Sequence, residues 1–246
     1  MNKNKALQKA INLHLSGNNI EASKAYNKVL ISEPSNLIAL NNLASLLNAS
    51  GEYEKAKLLL NRALYIKPDY IDALNNLGIS MKLSKEFNEA IKIFEKIINS
   101  KPDFVNALIN LGNCLQSLNR FEDALKIYKK ASIVQPESSE VLYNEATCLN
   151  ELNFQKQAIL NYKKILKIDP DFTEAKWNLA FIQLLQGNYK QGWKNHEIRK
   201  KRDKTKNDYL KLIEDKNWLG KEDLKDKTIF ILSEQGLGDY IQFCRY

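Results

Sequence analysis

The sequence predicts an all-α solenoid of stacked helical hairpins, and three observations carry that expectation. The five prolines are Pro34, Pro68, Pro102, Pro136 and Pro170, each 34 residues after the last. Other columns keep the same step: Ala22, Ala56, Ala90, Ala124 and Ala158 form one, and Tyr26, Leu60, Phe94, Tyr128 and Tyr162 another. A fixed period of this length is the mark of repeated helix-turn-helix units. The composition agrees, with 44% hydrophobic and 27% charged residues but only nine glycines and five prolines in 246 residues.

Each column has a physical reason. A helical hairpin cannot bury its apolar faces alone, so hairpins stack and share one core. Ala44, Gly78, Gly112 and Ala146 supply small side chains where the two helices of a repeat approach closely. The alanine column does the same on the second helix. Phe94 and Tyr128 are expected to fill the space between stacked repeats, each ring burying about 150–250 Å². Each proline ends one hairpin, because it has no N–H and restricts the residue before it.

Taken in order, the repeats are 3–36, 37–70, 71–104, 105–138, 139–172 and a degenerate 173–206. Turns within repeats fall at Ser16-Gly17-Asn18 and Ser50-Gly51-Glu52, with Lys85, Asn119 and Asn153 replacing glycine in later copies. The sixth copy has Gly192, His196 and Lys204 where the others have alanine, a ring or leucine, and proline. Terminal repeats are atypical because one face meets something other than a repeat. Residues 207–227 read as a basic linker, and 228–246 as a strand and the start of a helix.

Asn-Asn-Leu-Gly at 75–78, Ala90, Phe94 and Pro102 resemble the tetratricopeptide repeat. The resemblance implies a right-handed superhelix with the first helix of each repeat on the concave side. Along that helix one column reads Gln8, Asn42, Asn76, Asn110, Asn144 and Asn178. Asparagine is 28 of 246 residues, too few for five in one column to reflect composition. A primary amide offers a donor and an acceptor and so matches an extended peptide backbone. Each such bond nets about 0.5–1.5 kcal/mol. Against an association cost of at least about 4 kcal/mol, the column alone gives weak binding. The other reading is that repeat packing itself favours asparagine there.

Some domains of this family clamp a C-terminal carboxylate with basic residues in slots that here hold Leu7, Asn41, Asp72, Asn76, Asn106, Glu140 and Glu174. The acidic members would repel a carboxylate, which disfavours a chaperone-tail adaptor. Tyr143, Trp177 and Phe181 make the C-terminal end of the groove aromatic. They read either as a ligand anchor or as packing for the segment after residue 190.

Charge and cysteine usage set further bounds. Of the net +8, about +5 comes from residues 190–227, with thirteen Lys/Arg against eight Asp/Glu. Arg199-Lys200-Lys201-Arg202 is broken by Asp203 and reads as a solvated segment more readily than as a phosphate-binding patch. No continuous basic stripe with interleaved aromatics marks the groove for nucleic acid. Cys114 and Cys148 fill one slot of adjacent repeats, and neither they nor Cys244 have metal-site spacing. No stretch approaches about 18 consecutive apolar residues. Ala6–Leu15 is amphipathic, broken by Lys9 and His14, and is not a secretory core. The expectation is a cytoplasmic chain without a metal.

The C-terminal segment changes character. Thr228–Ser233 is an apolar, β-branched run leading into Glu234-Gln235-Gly236-Leu237-Gly238-Asp239. A strand, a glycine-rich turn and a helix start is how an α/β sheet opens a ligand site, although the dinucleotide and P-loop fingerprints are both incomplete. With Gly192-Trp193, His196-Glu197, Trp218-x-Gly220 and Gln242-Phe243, this order resembles bacterial proteins that join such repeats to a heptosyltransferase-like, two-lobed glycosyltransferase domain, similar in architecture to O-linked N-acetylglucosaminyltransferases. The resemblance implies a Rossmann-like remnant, a cleft turn at Gly236 and Gly238, and Asp239 beside the cleft as a candidate base. Asp239 also reads as a helix cap. It further implies a nucleotide-sugar donor for the full-length relative and none for this chain, which stops at Tyr246 and reads as a fragment or a truncated gene. The functional expectation is a protein- or peptide-binding scaffold serving as the acceptor-recruiting arm of a transferase, or a stand-alone interaction module. Oligomeric state is not legible.

Overall fold

The computed structural model describes residues 3–198, and within them the protein is a run of twelve α-helices with no strand. In chain order they are α1 (Lys3–Leu15), α2 (Asn19–Ser32), α3 (Leu37–Ala49), α4 (Tyr53–Ile66), α5 (Ile71–Leu83), α6 (Phe87–Ser100), α7 (Val105–Ser117), α8 (Phe121–Val134), α9 (Ser139–Glu151), α10 (Gln155–Ile168), α11 (Thr173–Leu185) and α12 (Tyr189–His196). First helices open at 3, 37, 71, 105, 139 and 173, one period apart. Residues 199–206 of the sixth repeat, the linker 207–227 and the segment 228–246 with Gly236, Gly238 and Asp239 lie outside the described residues.

One turn joins the helices of every pair. Gly17, Gly51, Lys85, Asn119, Asn153 and Gly187 all have positive φ, between 57° and 82°. In the second pair the Gly51 N–H bonds the Asn48 carbonyl at 3.2 Å, and the Glu52 N–H bonds the Leu47 carbonyl at 2.8 Å. That pairing is the Schellman arrangement, which satisfies the carbonyls a helix leaves open at its end. It needs a left-handed residue, which explains glycine and asparagine at the site and makes Lys85 the costly exception. Between repeats a proline follows directly on the C-cap residue, as at Glu33-Pro34 and Lys67-Pro68. The next helix is then capped where a side chain allows: Asn36 Oδ1 accepts from the Ala39 N–H at 3.0 Å.

The core repeats with the same step. Ala22, Ala56, Ala90, Ala124 and Ala158 are fully buried, as are Tyr26, Leu60, Phe94, Tyr128 and Tyr162. Here the structure refines the expected packing. The rings of Phe94 and Tyr128 lie against the glycine of their own repeat as well as in the shared core: a Cβ on Gly78 would sit 2.6 Å from Phe94, and one on Gly112 would sit 2.5 Å from Tyr128. Glycine is there because the ring has taken the space of a methyl group. Outside the core, Lys57 on α4 reaches Glu54 at 2.6 Å and Glu86, the residue before α6, at 2.7 Å, tying neighbouring repeats.

The stack bends toward its first helices. α3 touches α5, α5 touches α7 and α7 touches α9, whereas no two second helices come as close. The free sides of the first helices therefore line the inner face. Among the described residues no helix is long and apolar enough to cross a membrane.

Candidate functional site: the inner face of the repeats

The asparagine column lies on this inner face, and its members are engaged unequally. Gln8 is exposed and donates only within α1, to Asn12 Oδ1 at 3.0 Å. Asn42 Nδ2 donates to the Tyr26 hydroxyl at 3.1 Å while its Oδ1 accepts from Asn41 Nδ2 at 3.2 Å. Asn76 Nδ2 donates to Asn41 Oδ1 at 2.8 Å. Asn110 Oδ1 accepts from Lys82 Nζ at 2.6 Å, which leaves its amino group open. Asn178 Nδ2 donates to the hydroxyls of Tyr162 and Tyr143, at 3.2 and 3.3 Å. Asn144 makes no side-chain hydrogen bond among the described residues.

The tyrosines decide this pattern, and they sort by the small residue in the slot sixteen positions earlier. Tyr26 and Tyr162 follow Ala10 and Ala146, and their hydroxyls reach forward to Asn42 and Asn178 of the next repeat. Tyr128 follows Gly112, sinks against it, and keeps its hydroxyl 2.6 Å from both Asn113 and Gln116 of its own repeat. Both contacts are to carboxamide oxygens, and a phenol has one proton, so it donates to one of them at a time. Asn144, which a forward-reaching Tyr128 would have engaged, is left open. Burial raises the pKa of all three hydroxyls, so each stays protonated. Leu60 and Phe94 have no hydroxyl to offer Asn76 and Asn110.

At the C-terminal end the aromatic residues are largely engaged by the protein itself. Tyr143 packs on Phe172 with centroids 5.5 Å apart and on Tyr162 at 6.1 Å. Trp177 stacks on His196 at 4.9 Å, and Phe181 and Trp193 meet the same imidazole edge-on at 5.7 and 5.4 Å. His196 occupies the ring slot of the sixth repeat, so Trp177 and Phe181 do pack on the segment after residue 190. Phe181 remains 43% exposed.

Lys82 has no counterpart in the sequence reading. Its column runs His14, Asn48, Lys82, Gln116, Asn150 and Leu184, and a single charge in a polar column gave no periodic signal. It is half-buried on α5, and burial lowers its pKa from the ordinary lysine value. Asp72, Asn106, Glu140 and Glu174 are exposed at the start of their helices.

Neither buried thiol is poised to react: burial pushes Cys114 up to about 11 and Cys148 up to about 12, so both are protonated at neutral pH. Among the described residues no group of His, Cys, Asp and Glu is arranged to hold a metal. A separate hollow of about 640 Å³ opens between α2 and α4, lined by Ile20, Leu43, Leu47, Leu58 and Leu59, and shares none of the asparagine column.

Solved structures share this fold. MamA from Desulfovibrio magneticus RS-1 (residues 41 to the end) superposes with a TM-score of 0.61 at 17% identity, covering 68% of this chain and 97% of its own. A MamA RS-1 double mutant gives 0.61 at 16% identity, covering 68% and 96%. YrrB, described as a TPR protein with an unusual peptide-binding site, gives 0.57 at 19% identity, covering 77% and 99%. At these identities the likeness is one of fold. A search of curated proteins finds no match to the sequence. Two family profiles, both described as tetratricopeptide repeat, match residues 9–71 and 83–148. Together these stretches make up just over half of the chain, and with twelve helices set on a 34-residue period the chain belongs to the tetratricopeptide repeat family.

Proposed function

We propose that the protein is a binding module that holds an extended peptide segment of a partner along the inner face of its first helices. The observation that carries this is the unequal engagement of the asparagine column. Asn42 and Asn178 are held by tyrosines, whereas the amino group of Asn110 and the whole amide of Asn144 are open in the middle of the run. Primary amides paired with a peptide backbone read chain direction and extension without reading side chains. YrrB, which shares the fold, is described as having a peptide-binding site, and this supports the same use here. The free thiols at Cys114 and Cys148 suit a reducing setting, and we place the module in the cytoplasm.

The test is a titration of the isotopically labelled chain with a pool of random dodecapeptides, followed by the side-chain amide resonances. Shifts at Asn110 and Asn144 support the reading. Shifts confined to second helices, or none, remove it.

A second reading keeps this module as the acceptor-recruiting arm of a glycosyltransferase. It rests on the sequence Glu234-Gln235-Gly236-Leu237-Gly238-Asp239 and its flanking motifs, which lie outside the described residues. Asp239 would then stand beside an acceptor cleft, and the donor would be a nucleotide sugar held by further chain. Transfer of a labelled sugar by a longer form of the protein, lost in Asp239→Asn, is its test. Absence of transfer leaves the stand-alone module.

A further inference from the structure

The middle of the inner face carries a charge that backbone recognition does not use. Lys82 Nζ has one bonded partner, the neutral Asn110 Oδ1 at 2.6 Å, and forms no ion pair among the described residues. Glu140 acts on it only through space. An ammonium has three donors, and a half-buried one lacks the full water shell that would otherwise satisfy them. Beside it stands the open amino group of Asn110, and the open amide of Asn144 lies one repeat further along the same face. Donors outnumber acceptors here, in contrast to Asn42 and Asn178, where tyrosines have taken up the amides. The ring slot before Asn110 holds Phe94, which has no hydroxyl, and the slot before Asn144 holds Tyr128, turned into its own repeat against Gly112. Two independent features of packing therefore leave donors open on Asn110 and Asn144.

We propose that Lys82 and Asn110 form a carboxylate site that fixes the register of a bound peptide by one internal Asp or Glu side chain, with Asn144 one repeat further along the same bound segment. This rests on the peptide-binding reading above and adds a residue preference to it. An ammonium–carboxylate hydrogen bond is charge-assisted and is roughly twice as strong as a neutral one. It would single out one position of a ligand otherwise held through its backbone. The exposed carboxylates of Asp72, Glu140 and Glu174 on the same face repel a run of acids, so the fitting segment carries one acid in a neutral stretch.

Three pools of dodecapeptides, randomised over uncharged residues with the central position fixed as Glu, Gln or Lys, test this against the whole chain. Affinity is read by fluorescence anisotropy, and the Asn110 and Asn144 side-chain resonances are followed in parallel. The Glu pool should bind about tenfold more tightly than the Gln pool, and the Lys pool least well. Lys82→Met should abolish the preference with circular dichroism unchanged, and Lys82→Gln provides a second neutral replacement if the first misfolds. Glu140→Gln should strengthen the Glu preference by removing a nearby like charge. Equal binding of the Glu and Gln pools, or a preference that survives loss of the Lys82 charge, overturns the carboxylate site and leaves backbone recognition standing. If no pool moves the Asn110 and Asn144 resonances, both proposals fall.

Discussion

The ring of Tyr128 stands where a side chain on Gly112 would have to be, with a Cβ there only 2.5 Å from the ring. In the repeats whose small slot holds alanine, Ala10 with Tyr26 and Ala146 with Tyr162, the tyrosine hydroxyl reaches the asparagine of the next repeat, Tyr26 in addition to His14 of its own. One methyl group thus separates a tyrosine whose hydroxyl ties two repeats from one whose hydroxyl braces only its own.

Gly112→Ala should therefore destabilise the protein by about 1–3 kcal/mol, the range for forcing an extra methyl into a packed core. It should also move the Tyr128 hydroxyl toward Asn144. Urea unfolding measures the first effect, and the Asn144 side-chain resonances report the second. An unchanged midpoint would mean that the ring gives way freely.

Lys85 holds a φ of 65°, a conformation that costs a residue with a Cβ roughly 1–2 kcal/mol. Lys85→Gly should raise stability by about 1 kcal/mol, less than the full strain because glycine also loosens the unfolded chain. Asn153→Gly should gain only a few tenths, since asparagine tolerates this region. The ranking of the two thermal midpoints checks the claim.

Tyr162→Phe removes the hydroxyl that Asn178 Nδ2 meets at 3.2 Å. Loss of this bond between the fifth and sixth repeats should cost about 1 kcal/mol. Hydrogen exchange should rise first in α11 and α12. Exchange that rises equally along all repeats would contradict the local role.

Alkaline pH should destabilise the protein through its buried thiols and phenols. Cys114 and Cys148 are raised by burial from 9.0 to about 11 and about 12. Tyr26, Tyr128 and Tyr162 are raised for the same reason. These groups stay protonated in the fold after they have ionised in the unfolded chain, so the unfolded state binds fewer protons and stability falls as pH rises. Below pH 9 their contribution is complete. Above it, each group that has ionised only in the unfolded chain removes about 1.4 kcal/mol per pH unit. A urea midpoint flat from pH 7 to 11 would exclude this.

The fold was legible in sequence because its determinants recur. Five prolines and five alanines on one step set the hairpins, and the turn positions followed even where Lys85, Asn119 and Asn153 replaced glycine. The site was legible only in outline. The column from Gln8 to Asn178 could be read, but a hydrogen bond made to a partner sixteen residues away leaves no mark in the column itself. Whether Asn42 or Asn144 is open depends on Ala10 or Gly112, a packing detail two helices removed. The two readings of the column therefore divide it between them: Asn42 and Asn178 are packing residues, while Asn110 and Asn144 keep open polar groups. The aromatic end divides as well, with Trp177 and Phe181 enclosing His196. Lys82 escaped notice because nothing repeats it.

The most direct measurement is peptide binding by two paired variants, Asn110→Ala/Asn144→Ala and Asn42→Ala/Asn178→Ala, with thermal unfolding of each. The first pair should weaken binding by about tenfold or more, the sum of two lost hydrogen bonds, with the midpoint lowered only by loss of the single Lys82–Asn110 bond. The second pair should lower the midpoint and keep the affinity of the folded protein. If the first pair binds peptide as the wild type does, the open amides are not the binding surface and the central claim is wrong.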